Sequence, residues 1–156
     1  MREGALAPDF ALPDQDGRVW RLSELRGRWV VLYVYPKDFT PGCTREAEAF
    51  LKAQAALSHE GAQVLGLSAD PPERHRRFAE KLGLTFPLLS DPEARVIREL
   101  GAWGTKNLYG KKSEGILRQT YVIDPEGRVV KVIRRAKVEA HPEKALAALR
   151  EAKNEA

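Results

Sequence analysis

Val30-Val31-Leu32-Tyr33-Val34-Tyr35 is an unbroken apolar and aromatic run without a charge. That is the pattern of a strand covered on both faces of a sheet. The period then changes. Between Thr40-Pro41 and Gly61, Ala47, Phe50, Leu51, Ala53 and Leu57 fall on one broad helical face, with Arg45, Glu48, Lys52 and Glu60 mostly on the other. Thr followed by Pro is a start signal, because Thr caps and Pro at the first helical position gives up an N–H that has no partner there. Val64-Leu65-Gly66-Leu67-Ser68 reads as a second buried strand, so strand, helix and strand make a right-handed parallel crossover. Asp70-Pro71-Pro72 opens a helix with Phe78 and Leu82 inward, ended by Gly83. Thr85 to Ser90 is a short extended segment, and Asp91-Pro92 opens a helix with Val96, Ile97 and Leu100 on its inner face.

Residues 101–116, with four glycines and Lys111-Lys112, read as a surface loop. Arg118 to Asp124 and Arg128 to Ile133 are strands joined by the turn Pro125-Glu126-Gly127, and a closing amphipathic helix runs from His141-Pro142 with Leu146 and Leu149 inward. Ahead of the central strand, Phe10-Ala11-Leu12 and Val19-Trp20-Arg21-Leu22 flank the turn Asp14-Gln15-Asp16-Gly17, an N-terminal β-hairpin, and Ser23 to Gly27 gives a short helical turn. This succession resembles the thioredoxin-like order. It predicts an α/β fold with a central mixed β-sheet flanked by helices on both faces.

Composition narrows the function classes. A chain of 156 residues, 43% hydrophobic and 31% charged, is expected to form a single domain over 1–156 with a full core. The net charge is +4, but 22 acidic residues are interspersed with 26 basic ones. Arg74-His75-Arg76-Arg77, Lys111-Lys112 and Arg134-Arg135 are short, scattered and free of interleaved aromatics, so neither a nucleic-acid partner nor a membrane is expected. No basic start leads into an apolar run, and no run is long enough to span a bilayer. One cysteine excludes an internal disulfide and a thiolate-rich metal site and fits a reducing, cytoplasmic compartment. His59, His75 and His141 are too scattered in sequence to indicate a metal site or a base, and no Gly-rich nucleotide loop is present, so no cofactor is expected.

That cysteine, Cys43, is the third residue of the helix that Thr40-Pro41 opens, just past the carboxyl end of the central strand. Open α/β sheets bind ligands at that edge. Unpaired backbone N–H groups and the positive end of the helix dipole favour thiolate over thiol there. The blander reading, a small buried apolar residue, fits this setting less well.

Tyr35-Pro36-Lys37-Asp38-Phe39-Thr40-Pro41-Gly42-Cys43-Thr44-Arg45-Glu46 resembles the active-site stretch of the peroxiredoxins of the Q type, the bacterioferritin comigratory protein group. Pro36, Thr40 and Cys43 match that family's spacing. Further blocks match in order: Phe86 to Asp91, Trp103 to Lys106 with Tyr109-Gly110-Lys111, and Arg118 to Asp124. Many members carry a resolving cysteine where this chain has Glu48, so the chain resembles a one-cysteine variant. The resemblance implies a thiol-dependent peroxidase acting on hydrogen peroxide and organic hydroperoxides. An external reductant, a thioredoxin-type protein or a low-molecular-weight thiol, would regenerate it, and the chain would be a monomer or weak homodimer. Thiolate formation alone does little. A free thiol is roughly 3% ionised at pH 7, and a drop of about two pKa units raises that about 25-fold while costing roughly 6- to 10-fold in nucleophilicity. The acceleration must come from groups that place the peroxide and receive charge: helix N–H groups, the Thr40 hydroxyl and, by the resemblance, Arg118. Pro36 is expected to shape the loop and screen the sulfur from water, and Glu46 to orient Arg118. The duller roles are a helix cap for Thr40, a strand end for Pro36, a strand-edge arginine and a solvated glutamate.

Three rivals remain at this level. A cysteine hydrolase or transferase needs a histidine beside Cys43. A thioredoxin-like binding or chaperone module would carry an inert thiol. A disulfide reductase lacks its Cys-x-x-Cys pair, since Thr40 stands where the first cysteine would be.

Overall fold

The computed structural model describes residues 1–108 and 110–154. The charge-free run forms β3 (Trp29–Val34), flanked on one side by β4 (Ala62–Ser68) and on the other by β8 (Gln119–Ile123). The sheet is completed by β5 (Leu88–Ser90) beyond β4 and β9 (Val129–Ile133) beyond β8. β3, β4 and β5 are parallel, while β8 is antiparallel to both β3 and β9. Being central, β3 has no face toward water, which is why its sequence shows no polar alternation.

Alternate residues along β3 and the position just after it feed two separate cores. Val31, Tyr33 and Tyr35 pack with Cys43, Ala47, Phe50 and Leu57 of α1 (Pro41–His59), Phe78 of α2 (Pro72–Leu82) and Leu149 of α4 (His141–Asn154). Val30, Leu32 and Val34 pack with Val96 and Ile97 of α3 (Arg95–Glu99) and with the N-terminal hairpin of β1 (Ala11–Pro13) and β2 (Val19–Arg21). This is the thioredoxin-like arrangement that the element order predicts.

Three local expectations differ from what is found. Residues 101–116 are not a loop: β6 (Trp103–Leu108) and β7 (Lys111–Ile116) pair antiparallel as a separate two-stranded ribbon, from Trp103↔Ile116 to Leu108↔Lys111. Lys111 to Glu114 are exposed, so the strand has no buried face to betray it, and backbone pairing carries it instead. Tyr109, quoted in one matching block, lies outside the described residues. The helix expected at Asp91-Pro92 begins only at Arg95, after Ala94 at φ 56°, with the Asp91 carboxylate accepting from the Ile97 N–H at 2.9 Å. Thr40 stands at the cap position of α1, but its hydroxyl donates to the Lys37 carbonyl at 2.8 Å rather than capping the helix.

Candidate active site

Cys43 is the third residue of α1, as the Thr40-Pro41 signal requires, and it is buried, 1% exposed. The sulfur sits under Arg118, whose side chain is 21% exposed. Arg118 lies between β7 and β8, and its Nη2 reaches the Cys43 Sγ at 3.3 Å while Nη1 donates to the Glu46 carboxylate. Close approach of the guanidinium depends on Gly42, where a Cβ would stand 3.2 Å from Nη2. Thr40 and Pro36 are both half-buried, Thr40 one turn before the sulfur and Pro36 where the chain leaves Tyr35. Arg118, Glu46 and Cys43 thus converge in direct contact, whereas the Thr40 hydroxyl is turned toward Lys37.

The electrostatics are those of one cation shared by two acceptors. Burial works against the Arg118 charge, but Glu46 and then Cys43 outweigh it and hold the guanidinium above its ordinary range. Glu46 is fully buried, and burial, opposed by Arg118, pushes its carboxyl up to about 7. Lys106 on β6 is a half-buried second cation; burial and Arg118 lower it, while Cys43 works the other way.

Two histidines that the sequence left unassigned belong to the walls of this site. Tyr35 donates to Asp38 Oδ1 at 2.6 Å, His75 Nδ1 lies 2.6 Å from Asp38 Oδ2, and His75 Nε2 meets the Leu89 carbonyl at 2.9 Å. The Asp38 N–H donates to Asp70 at 3.0 Å, and Arg74 donates to the Asp38 carbonyl at 3.1 Å. This buried network pins the turn from Lys37 to Thr40, including Phe39 at φ 69°, to the ends of β3 and β4 and to α2. Asp38, Asp70 and His75 lie close enough together for a metal, but their atoms are already spent on one another and on Tyr35, Ser68 and Arg74. On the other side, His141 opens α4 with its Nδ1 2.8 Å from the Thr120 hydroxyl and 3.8 Å from Glu46. Burial, then Arg118, push His141 down to about 4. No sequence spacing links His75 to Asp38 or His141 to Glu46, since each pair is joined only by the parallel crossover or the closing helix.

Comparison with known proteins agrees with the geometry. The AhpC/TSA family model matches residues 4–132. A putative peroxiredoxin of Mycobacterium tuberculosis is 44% identical over 130 residues, 83% of each chain. Peroxiredoxin Bcp of Escherichia coli K12 is 41% identical over 151 residues, 97% of each chain. The solved structure of the Xanthomonas campestris bacterioferritin comigratory protein superposes with a TM-score of 0.88 at 38% identity, covering 95% of this chain and 96% of that one. With a strand-to-helix cysteine held by an arginine and relatives of this closeness over most of its length, the chain belongs to the AhpC/TSA family, as a peroxiredoxin of the Bcp and PrxQ kind.

Proposed function

We propose that this chain is a thiol-dependent peroxidase whose reacting atom is the Cys43 sulfur. The observation that carries the reading is the 3.3 Å contact between Arg118 Nη2 and Sγ at the first turn of α1, in a chain similar to a Xanthomonas protein with alkyl peroxide reduction activity. The Cys43 thiolate attacks the terminal oxygen of a hydroperoxide. A sulfur–oxygen bond forms, the oxygen–oxygen bond breaks, and the departing oxygen leaves with the electron pair and takes up a proton as water or an alcohol. Arg118 faces both the sulfur and the charge that develops on that oxygen. Backbone N–H groups of Gly42 and Cys43, at the helix start, are donors for the peroxide. The donor of Thr40 is committed to Lys37, so its oxygen serves as an acceptor for the peroxide O–H. Pro36 begins the turn that screens the sulfur, and Glu46 fixes Arg118.

Sulfenic acid on Cys43 is reduced by an external thiol. Two electrons come from the reductant and water leaves, through a mixed disulfide that a second thiol opens, because position 48 is Glu and the chain has no other cysteine. A thioredoxin-type protein or a low-molecular-weight thiol fills that role. We place the protein in the cytoplasm as a single domain, a monomer or weak homodimer. Among the described residues no helix is long and apolar enough to cross a membrane. A hydrolase reading lacks its base: among the described residues the hydrogen bond to Cys43 comes from Arg118 and none from a histidine. Peroxide consumption by wild type and Cys43→Ser, with thioredoxin, glutathione-like thiols or dithiothreitol in turn, tests the proposal and identifies the reductant. Equal consumption by the two proteins sinks it. Dimedone labelling after one equivalent of peroxide separates it from an inert binding module.

A further inference from the structure

We infer that the fully buried carboxyl of Glu46 carries a proton on the oxygen facing His141, and that this proton sets how strongly Arg118 acts on the Cys43 sulfur. Glu46 is thereby a positioning residue for the peroxide reaction. The rate argument rests on the peroxidase reading above; the proton itself does not.

Glu46 is 0% exposed. One carboxyl oxygen accepts from Arg118 Nη1, but the other has no hydrogen-bond partner among the described residues, and its nearest ring nitrogen, His141 Nδ1, stands 3.8 Å away. An ionised carboxylate so placed has a single cation on a single oxygen, and the remainder of its charge lies in a dry interior. His141 supplies no second cation. It is 0% exposed with Nδ1 against the Thr120 hydroxyl, and burial, Arg118 and Lys144 disfavour its charged form, the Ala136 carbonyl alone working the other way. A neutral imidazole beside a carboxylic acid is a compatible pair; beside a carboxylate it compensates nothing.

The groups that face this pair come from every neighbouring element. Cys43 and Glu46 share α1, Tyr33 approaches from β3 with Asp38 bearing on it from the turn after that strand, Arg118 from the start of β8, Lys106 from β6, and His141 with Lys144 from α4. Tyr33 is held neutral, foremost by burial and next by Glu46. Burial raises the Glu46 carboxyl to about 7 against the pull of Arg118, and burial first, then Arg118, keep His141 uncharged down to about 4. Around neutral pH the Glu46 carboxyl is therefore a buried group beside Arg118 that changes charge. While it is protonated, the guanidinium charge is directed at the sulfur and at the departing oxygen. Once it ionises, two anions share one guanidinium, and the stabilisation of the transition state weakens.

Stopped-flow oxidation of the reduced protein by hydrogen peroxide, from about pH 6 to about pH 9, reads this directly when each rate constant is divided by the thiolate fraction taken from ultraviolet absorbance. The expected wild-type value falls about tenfold across neutrality, the equivalent of one pKa unit of coupling between carboxylate and sulfur. Glu46→Gln keeps an acceptor for Nη1 and the charge of the neutral form, and its normalised rate stays flat. A flat wild-type profile, or a fall that survives in E46Q, overturns the inference. Infrared difference spectra of wild type against E46Q provide a readout independent of turnover. A protonated-carboxyl C=O band is expected near pH 6 and gone by about pH 9, and its absence near pH 6 is equally fatal. If wild type fails to react with peroxide at any pH, the peroxidase reading falls, and the infrared band alone decides where the proton sits.

Discussion

Gly42 and Arg118 are in contact distance by virtue of a missing atom: a Cβ on Gly42 would lie 3.2 Å from Arg118 Nη2 and 3.9 Å from Val138 Cγ1. Any other residue there crowds the guanidinium, which must give by a few tenths of an ångström to keep its place over the sulfur. Gly42 is the second residue of α1 and has no left-handed φ, so alanine suits its backbone. Gly42→Ala is expected to leave thermal stability unchanged or raised while displacing Arg118 from Sγ, with the peroxide rate down about tenfold or more. Differential scanning calorimetry and the second-order oxidation rate separate the two effects. A fully active Gly42→Ala protein means that the guanidinium yields without cost.

Thr40 offers a different separation. Its hydroxyl proton is bound to the Lys37 carbonyl, leaving lone pairs as what it can give a substrate. Thr40→Ser is expected to retain most of the peroxide rate, and Thr40→Val to lose about 10²-fold or more, in the range that mutagenesis gives for one transition-state hydrogen bond. Loss of the turn bond costs Thr40→Val about 1 kcal/mol in stability. Steady-state peroxide consumption at saturating reductant tests the pair; equal rates for Val and Ser rule out a substrate contact.

The turn that carries Thr40 depends on Asp38. Its buried carboxylate meets Tyr35 and His75, and its backbone meets Asp70 and Arg74. These bonds hold Phe39 at φ 69°, a conformation costing a bulky residue on the order of 1–3 kcal/mol. Asp38→Ala removes the acceptor that the Tyr35 hydroxyl and His75 Nδ1 share and leaves them only their own 3.4 Å contact, and urea denaturation is expected to show a loss of about 3–5 kcal/mol. Asp38→Asn keeps an acceptor for one of them and should lose roughly half as much. An Asp38→Ala protein as stable as wild type would show that the network does not hold the turn.

What the sequence revealed follows from where its signals are local. The charge-free run of β3, the Thr40-Pro41 start and the cysteine two residues later are contiguous, and they place Cys43 at the third position of α1. Arg118 came only from the family resemblance, because 75 residues separate it from the sulfur that it touches. Asp38 with His75 and Glu46 with His141 were illegible for the same reason, their partners being brought together by the crossover and by α4. Glu46 is buried although polar, an arrangement that helical periodicity reads as a solvated face. The Thr40 hydroxyl and the β6–β7 ribbon fail differently. A cap residue has two nearby backbone partners to choose from, and an exposed ribbon needs no hydrophobic alternation.

Opposed titrations in Glu46 and His141 give a test on stability alone. The folded carboxyl titrates at about 7 against an ordinary 4.5, so the folding free energy that it contributes is complete below 4.5 and lost as pH rises through 7. The folded imidazole titrates at about 4 against an ordinary 6.5, so its contribution is complete above 6.5 and lost as pH falls through 4. Between 4.5 and 6.5 the two trends cancel in wild type, since acid strengthens the first and weakens the second. Glu46→Gln removes only the first. On acidification from about pH 6.5 to about pH 4.5 the variant is therefore expected to lose on the order of 2 kcal/mol more stability than wild type, as measured by urea midpoints at each pH. Parallel midpoints for the two proteins across that window would mean that Glu46 ionises as an ordinary carboxylate, with Arg118 alone compensating it.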